Sequence, residues 1–95
     1  MDPRDTWAQA IWKYPLKITD EQTIKMPQNA LPLCVQIQDG KVCLWVRLTP
    51  GLEPHPYHIW IIGTGNPMPS GIELSYIGTI TDMVGLVWHV FWQEE

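Results

Sequence analysis

An Asp39-Gly40 pair between two alternating segments is the feature that most limits how this chain can fold. An Asp-Gly pair between two segments of alternating apolar and polar residues predicts a two-residue β-hairpin turn. Both positions of such a turn need a positive φ, which Asp and Gly tolerate. Such a turn fixes the register, so that Cys34 faces Trp45 across the hairpin. Because side chains on a strand alternate between its faces, one face is predicted to be the core face. It holds Val35, Ile37, Val42, Leu44, Val46 and Leu48.

The same alternation continues on both sides of this hairpin. It predicts further short strands near residues 12–18, 23–26, 57–62, 74–80 and 84–93. Pro15 has no N–H to donate, which places the first strand at a sheet edge or a bulge. Nine prolines, seven glycines and no sustained 3.6-residue periodicity argue against a substantial helix. We therefore expect an all-β fold, a small antiparallel β-sandwich or barrel of about seven short strands.

The domain organisation follows from the length of 95 residues, which is enough for one core. Residues 1–10 are predicted to form an N-terminal tail or extension, and residues 11–95 a single β domain. No apolar run is long enough for a membrane span, and the acidic, proline-containing N-terminus differs from a secretory signal. The expected location is the cytoplasm, with no membrane partner.

Charge and cysteine content narrow the range of partners. Six basic against ten acidic residues give a net charge of −4, the wrong sign for wrapping a phosphate backbone, so direct binding of nucleic acid is not expected. Cys34 and Cys43 share a face of the predicted hairpin but are offset diagonally, at about 7 to 8 Å between Cα atoms. That separation is long for a disulfide, so we expect two reduced thiols.

A search for catalytic chemistry is negative. His55 and His58 are three residues apart in an extended segment and project to opposite faces, which disfavours a shared metal ion. Cys43 could approach His58 and His89 only if their strands are neighbours, and no orienting group or oxyanion hole is recognisable. The sequence predicts no enzyme, no catalytic residue, no metal site and no cofactor.

Six tryptophans raise the question of which ones fill the core and which ones anchor an interface. Alternation assigns Trp12, Trp88 and Trp92 to the core side and leaves Trp7 in the tail. If their strands share one sheet, the opposite face is a candidate protein-binding surface rich in aromatic residues and Arg. It would comprise Trp45, Arg47, His58, Trp60, His89 and Phe91. Three readings remain open: the face is covered within the chain, it mediates self-association, or it binds a foreign protein or small molecule.

The loop after the predicted fifth strand is a second candidate site. Gly63, Thr64, Gly65 and Asn66 are candidate ligand-binding residues, because glycine-rich backbone can present N–H groups to an anion or nucleotide. Pro67 and Pro69 remove two donors, and no helix follows, so neither a P-loop nor a dinucleotide fingerprint is present. A rigid turn between strands is the alternative.

An ordered series of short motifs resembles a family of short proteins, a domain of unknown function, encoded by bacteriophages and bacteria. The motifs lie at residues 11–14 (IWKY), 19–27 (TDEQTIKMP), 35–46 (VQIQDGKVCLWV), 63–69 (GTGNPMP), 76–79 (YIGT) and 88–91 (WHVF). The resemblance implies a phage or mobile-element context and supplies no catalytic residues.

Three classes of function follow from these observations. The first is a non-enzymatic phage or mobile-element protein that inhibits a host antiviral-defence component, for example an anti-CRISPR protein, by protein contact in the bacterial cytoplasm. The second is a sponge that sequesters a small molecule or nucleotide. The third is an oligomeric structural or assembly protein.

Overall fold

Seven strands and no helix form the part of the chain that the computed structural model describes, residues 8–94. The strands are β1 (Ala10–Pro15), β2 (Glu21–Pro27), β3 (Leu31–Gln38), β4 (Lys41–Leu48), β5 (Pro54–Gly63), β6 (Leu74–Thr81) and β7 (Val87–Gln93). They build two antiparallel sheets, sheet A with the order β1-β4-β3 and sheet B with the order β2-β5-β7-β6. The all-β prediction is confirmed. Within the described residues, no helix is long and apolar enough to cross a membrane.

The β3–β4 hairpin has the predicted turn and register. Asp39 and Gly40 both take positive φ, 52° and 76°, and Cys34 is paired with Trp45. A bulge between Pro32 and Cys34 interrupts the ladder near its far end. The predicted core face is also correct, since all of its residues are buried except Ile37, which is partly buried against the core.

The buried residues of the two sheets form one hydrophobic cluster. Leu44, Val46 and Leu48 of β4 are fully buried from sheet A, as are Ile59 and Val90 from sheet B. Trp92 also belongs to this cluster, with its ring 4.7 Å from that of Tyr57, so the predicted core role of Trp92 is confirmed. Trp88 packs against the cluster while partly exposed.

The edge position of β1 is confirmed, but its tryptophan differs from the prediction. β1 pairs only with β4, so that Pro15 removes no hydrogen bond from an interior ladder. Trp12 lies beside the buried Val46 and yet remains 42% exposed, because the other flank of an edge strand has no neighbour in its sheet. The prediction that Trp12 belongs to the core is wrong. The prediction for Trp7 falls outside the described residues.

The connection between β6 and β7 departs from the predicted alternation. The last strand begins at Val87 instead of Val84, because a tight turn occupies the intervening residues. The Asp82 carboxylate builds this turn: its Oδ1 accepts the backbone N–H of Val84 at 3.0 Å and of Leu86 at 2.9 Å. Its Oδ2 accepts the indole N–H of Trp88 at 3.0 Å. The indole bond is the largest of the interactions that lower the pKa of Asp82.

Candidate functional site

The six residues predicted to form one protein-binding surface are divided between the two sheets. Trp45 and Arg47 lie on β4 in sheet A, whereas the other four lie on β5 and β7, which are neighbours in sheet B. These four are His58, Trp60, His89 and Phe91. Trp60 is paired directly with Phe91. The residues expected on a single surface are therefore divided between two faces, one in each sheet.

The aromatic face of sheet B also includes Tyr76 of β6. A bulge between Tyr76 and Gly78 shifts the alternation, so that Tyr76 pairs with Phe91 and is 61% exposed. The two rings meet edge to face at 5.7 Å. On the other side of Phe91, the indole Nε1 of Trp60 donates to Gln93 Oε1 at 2.8 Å. Alternation within one strand carries no signal of this bulge.

The two predicted histidines of sheet B are held by neighbouring side chains. His89 Nε2 is hydrogen bonded to Thr64 Oγ1 at 2.7 Å, and its Nδ1 to Thr79 Oγ1 at 3.1 Å. His58 Nδ1 lies 2.9 Å from Glu21 Oε1. Cys43 belongs to sheet A, so the structure does not bring it together with these rings. Among residues 8–94, no group of three or more His, Cys, Asp and Glu side chains could hold a metal ion.

The predicted ligand-binding residues Gly63–Asn66 form a tight turn. The Asn66 N–H donates to the Gly63 carbonyl at 3.0 Å, and the Thr64 N–H donates to Val87 at 3.3 Å. Gly65 has a φ of 90°, which a residue with a side chain rarely adopts. A Cβ on Gly63 would lie 3.3 Å from the ring of Trp88. The turn itself therefore explains why glycine stands at positions 63 and 65. The backbone N–H groups of Thr64 and Asn66 already donate hydrogen bonds within the protein.

The outer face of sheet A carries an apolar patch that was only partly predicted. Ile11 and Leu31 are the register partners of Arg47 on its two sides, and they are 61% and 50% exposed. Leu33, the extra residue of the β3 bulge, is 46% exposed beside the half-buried Trp45. We call these five residues the sheet A patch. Ile11, Leu31 and Leu33 could be recognised only from the strand pairing, which places them around Arg47.

The charge of sheet A is also distinctive. Its three strands contain Lys13, Lys41 and Arg47 and no Asp or Glu, although the whole chain carries a net charge of −4. Lys13 Nζ donates to Gln38 Oε1 at 2.8 Å across β4, where the underlying Cys43 is only 3% exposed. Cys34 and Cys43 are both free thiols. The outer face of sheet A is therefore basic, with a polar end and an apolar end.

Among the clefts on the described part of the surface are two of similar volume. The first, of about 410 Å³, lies beside the β2–β3 connection and is lined in part by Asn29, His55 and Trp92. The second, of about 400 Å³, lies between Trp60 and the loop at Asn66–Pro69. It unites one residue from each of the two predicted sites, Trp60 and Asn66.

Comparison with known proteins gives one match. A protein-family model described as a domain of unknown function matches residues 8–95, which is nearly the whole chain. No curated protein and no solved structure matches the chain.

Proposed function

Because the chain belongs to the DUF7352 family, a family of domains of unknown function, we propose from its own surface that it is a non-enzymatic protein-binding domain. The sheet A patch is the contact surface. The observation that carries the proposal is the row formed by Ile11, Arg47 and Leu31, in which two strongly exposed apolar side chains flank an arginine.

The composition of the sheet A patch supports binding to a protein. Trp and Arg are enriched among the residues that dominate binding energy at protein interfaces, and Trp45 and Arg47 are successive outward residues of β4. Trp45 is half-buried between Lys13 and Cys34 on the adjacent strands, so its ring is held by the sheet before any partner arrives. A held side chain loses less conformational entropy on binding.

The charge of sheet A supports a partner of acidic character. Three cations without a carboxylate on these strands complement a protein surface in which acidic residues surround an apolar pocket. Nucleic acid is less well supported, since platforms for unpaired bases use several stacked aromatic rings and the sheet A patch has only Trp45. The nucleotide alternative also has little support, because the N–H groups of Thr64 and Asn66 bond within the chain.

The biological setting we propose rests on the resemblance to short phage and bacterial proteins. In that setting the partner is a host protein in the bacterial cytoplasm. Components of antiviral defence are the first class of host protein to test. The domain would inhibit it by occluding a functional surface, which requires affinity and complementary charge and no chemistry of its own.

The test is a binding experiment with charge-matched variants. Tagged protein is incubated with nuclease-treated bacterial extract, and retained proteins are identified and then purified for measurement of affinity. Arg47→Glu and Trp45→Ala should each weaken binding at least about 10-fold, as expected for hot-spot residues. Lys25→Glu makes the same charge change at an exposed site on β2 in sheet B and should bind as the wild type does.

Two outcomes would contradict the proposal. Equal binding by wild type and Arg47→Glu would exclude the sheet A patch as the interface. Proteins that are retained from untreated extract but not from nuclease-treated extract would indicate nucleic acid as the ligand. Light scattering after size exclusion tests the remaining alternative, an oligomeric assembly protein. If the wild type and the Trp45→Ala variant are both monomers, assembly through this face is excluded.

A further inference from the structure

We propose that the cleft between Trp60 and the Asn66–Pro69 loop binds a small planar organic cation. This cleft, called the Trp60 cleft, has a volume of about 400 Å³, within the range of pockets that hold small molecules. It belongs to sheet B, on a different sheet from the proposed protein-binding patch, and the inference does not depend on that proposal.

The walls of the Trp60 cleft are apolar. Trp60, Ile62 and Met68 line it together with Pro67 and Pro69. The indole N–H of Trp60 is already donated to Gln93, so Trp60 offers the cleft ring carbons instead of a hydrogen-bond donor. A ligand that fills this space therefore needs an apolar body.

The polar groups of the Trp60 cleft favour positive charge over negative charge. Asp20 lines the cleft, and its exposed carboxylate has no hydrogen bond or ion pair with any residue in the described part of the chain. The neighbouring carboxylate of Glu21 is paired with His58. Among the residues that the structure describes, no lysine or arginine lines the cleft.

The backbone around the Trp60 cleft is equally unsuited to an anion. The N–H groups of Thr64 and Asn66 are used in hydrogen bonds within the protein. Pro67 and Pro69 have no N–H at all. The loop therefore lacks the run of free backbone donors by which glycine-rich segments hold phosphate.

A planar cation fits both the ring of Trp60 and the carboxylate of Asp20. Tryptophan is the aromatic side chain that attracts cations most strongly over its ring face, and a flat cation can also lie against the ring. The Asp20 carboxylate then supplies the counter-charge. Amidinium and aromatic ammonium compounds have this combination of an apolar ring and a positive group.

Three isosteric probes test the charge preference. Benzamidine, benzamide and benzoate share one ring and differ in charge, and their dissociation constants are measured by NMR shifts of the backbone and indole N–H groups. Benzamidine should bind at least about 5-fold more tightly than benzamide, from the ring and carboxylate contributions together, and benzoate should bind most weakly. The largest shifts should lie at Trp60 and residues 66–68.

A conservative variant isolates the carboxylate. Asp20→Asn should weaken benzamidine binding about 2- to 5-fold and leave benzamide binding unchanged. Asp39→Asn is the matched control, because it neutralises an exposed carboxylate in the β3–β4 turn, where the positive φ suits Asn. Both variants keep the backbone contacts of the wild type, so loss of folding does not obscure the comparison.

The proposal is overturned if benzoate binds as tightly as benzamidine, or if Asp20→Asn behaves as Asp39→Asn does. It is also overturned if the shifts map outside the Trp60 cleft. A capped Gly-Arg-Gly peptide that binds more tightly than benzamidine would assign the cleft to an arginine side chain of a protein and exclude the small-molecule ligand.

Discussion

Gly78 of β6 lies against Val35 of β3, so closely that a Cβ on Gly78 would be 2.8 Å from Val35 Cγ1. β3 of sheet A and β6 of sheet B pack against each other here, and Val35 is buried. Its side chain is short and β-branched and cannot swing away freely. Gly78→Ala should therefore lower the free energy of unfolding by about 1 to 3 kcal/mol, the usual cost of overpacking. Urea denaturation measures the change.

A double-variant cycle shows whether the contact itself is responsible. Val35→Ala removes the methyl group that the new Cβ would meet, at its own cost in buried apolar contact. The double variant should be more stable than the sum of the single changes predicts, by about 0.5 to 3 kcal/mol. Simple additivity would mean that Gly78 is needed for another reason.

The hydroxyl of Tyr57 links two parts of the β2–β3 connection. It accepts the N–H of Ala30 and donates to the carbonyl of Pro27, both at 3.2 Å. Tyr57→Phe keeps the ring against Trp92 but leaves the buried Ala30 N–H without its partner, so stability should fall by about 1 to 3 kcal/mol. Tyr76→Phe, which removes an exposed hydroxyl, should change stability by less than about 0.5 kcal/mol. Equal effects of the two changes would contradict this role.

The tryptophans should differ in what they contribute to stability. Trp92 is 6% exposed within the core, so Trp92→Ala should cost about 3 to 5 kcal/mol. Trp12 is 42% exposed on an edge strand, and Trp12→Ala should cost only about 1 kcal/mol. Thermal unfolding of the two variants checks the order, and a larger loss for Trp12 would show that another part of the chain covers it.

The turn held by Asp82 should open in acid. The indole N–H of Trp88 lowers the pKa of Asp82; partial burial raises it, and the backbone N–H groups of Leu86, Val84 and Gly85 lower it further. Because the pKa in the folded state lies below the ordinary value of 3.8, the stabilisation is present above that value. It is lost as the pH falls through the folded-state pKa. The NMR signal of the Trp88 indole N–H should shift over that range.

An Asp82→Asn variant provides the control for this titration. The amide oxygen can still accept the backbone N–H groups, but the amide nitrogen cannot accept the indole N–H of Trp88. The variant should be less stable at neutral pH and should lack this acid transition at the indole. An unchanged acid profile would show that another group controls the turn.

How well each part of the fold could be predicted depended on how far apart in the sequence the interacting residues lie. The Asp39-Gly40 turn and the core face of β3 and β4 depend on neighbouring residues, and both were predicted correctly. The pairing of β1 with β4 and of β2 with β5 joins residues far apart in the chain, which alternation does not encode. Trp45 and Trp60 therefore shared one face in the prediction and lie in different sheets in the structure.

Irregularities within single strands were equally hidden. The apolar alternation through Val84 and Leu86 continues that of β7, but the side-chain bonds of Asp82 turn the chain there. The bulge after Tyr76 shifts the alternation of β6, and the ring of Tyr76 lies at the surface. In both cases a local polar contact or an extra residue overrode the period of two.

The placement of β1 and β2 has a consequence for the order in which the protein can fold during synthesis. Both strands leave the ribosome before their partners, because β1 pairs with β4 and β2 with β5. The β3–β4 and β6–β7 hairpins close locally, whereas β1 waits unpaired until residue 48 has emerged and β2 until residue 63 has emerged. During that interval Ile11, Trp12 and Ile24 are open to any chaperone or neighbouring nascent chain, and a ribosome pause beyond residue 27 would prolong the exposure.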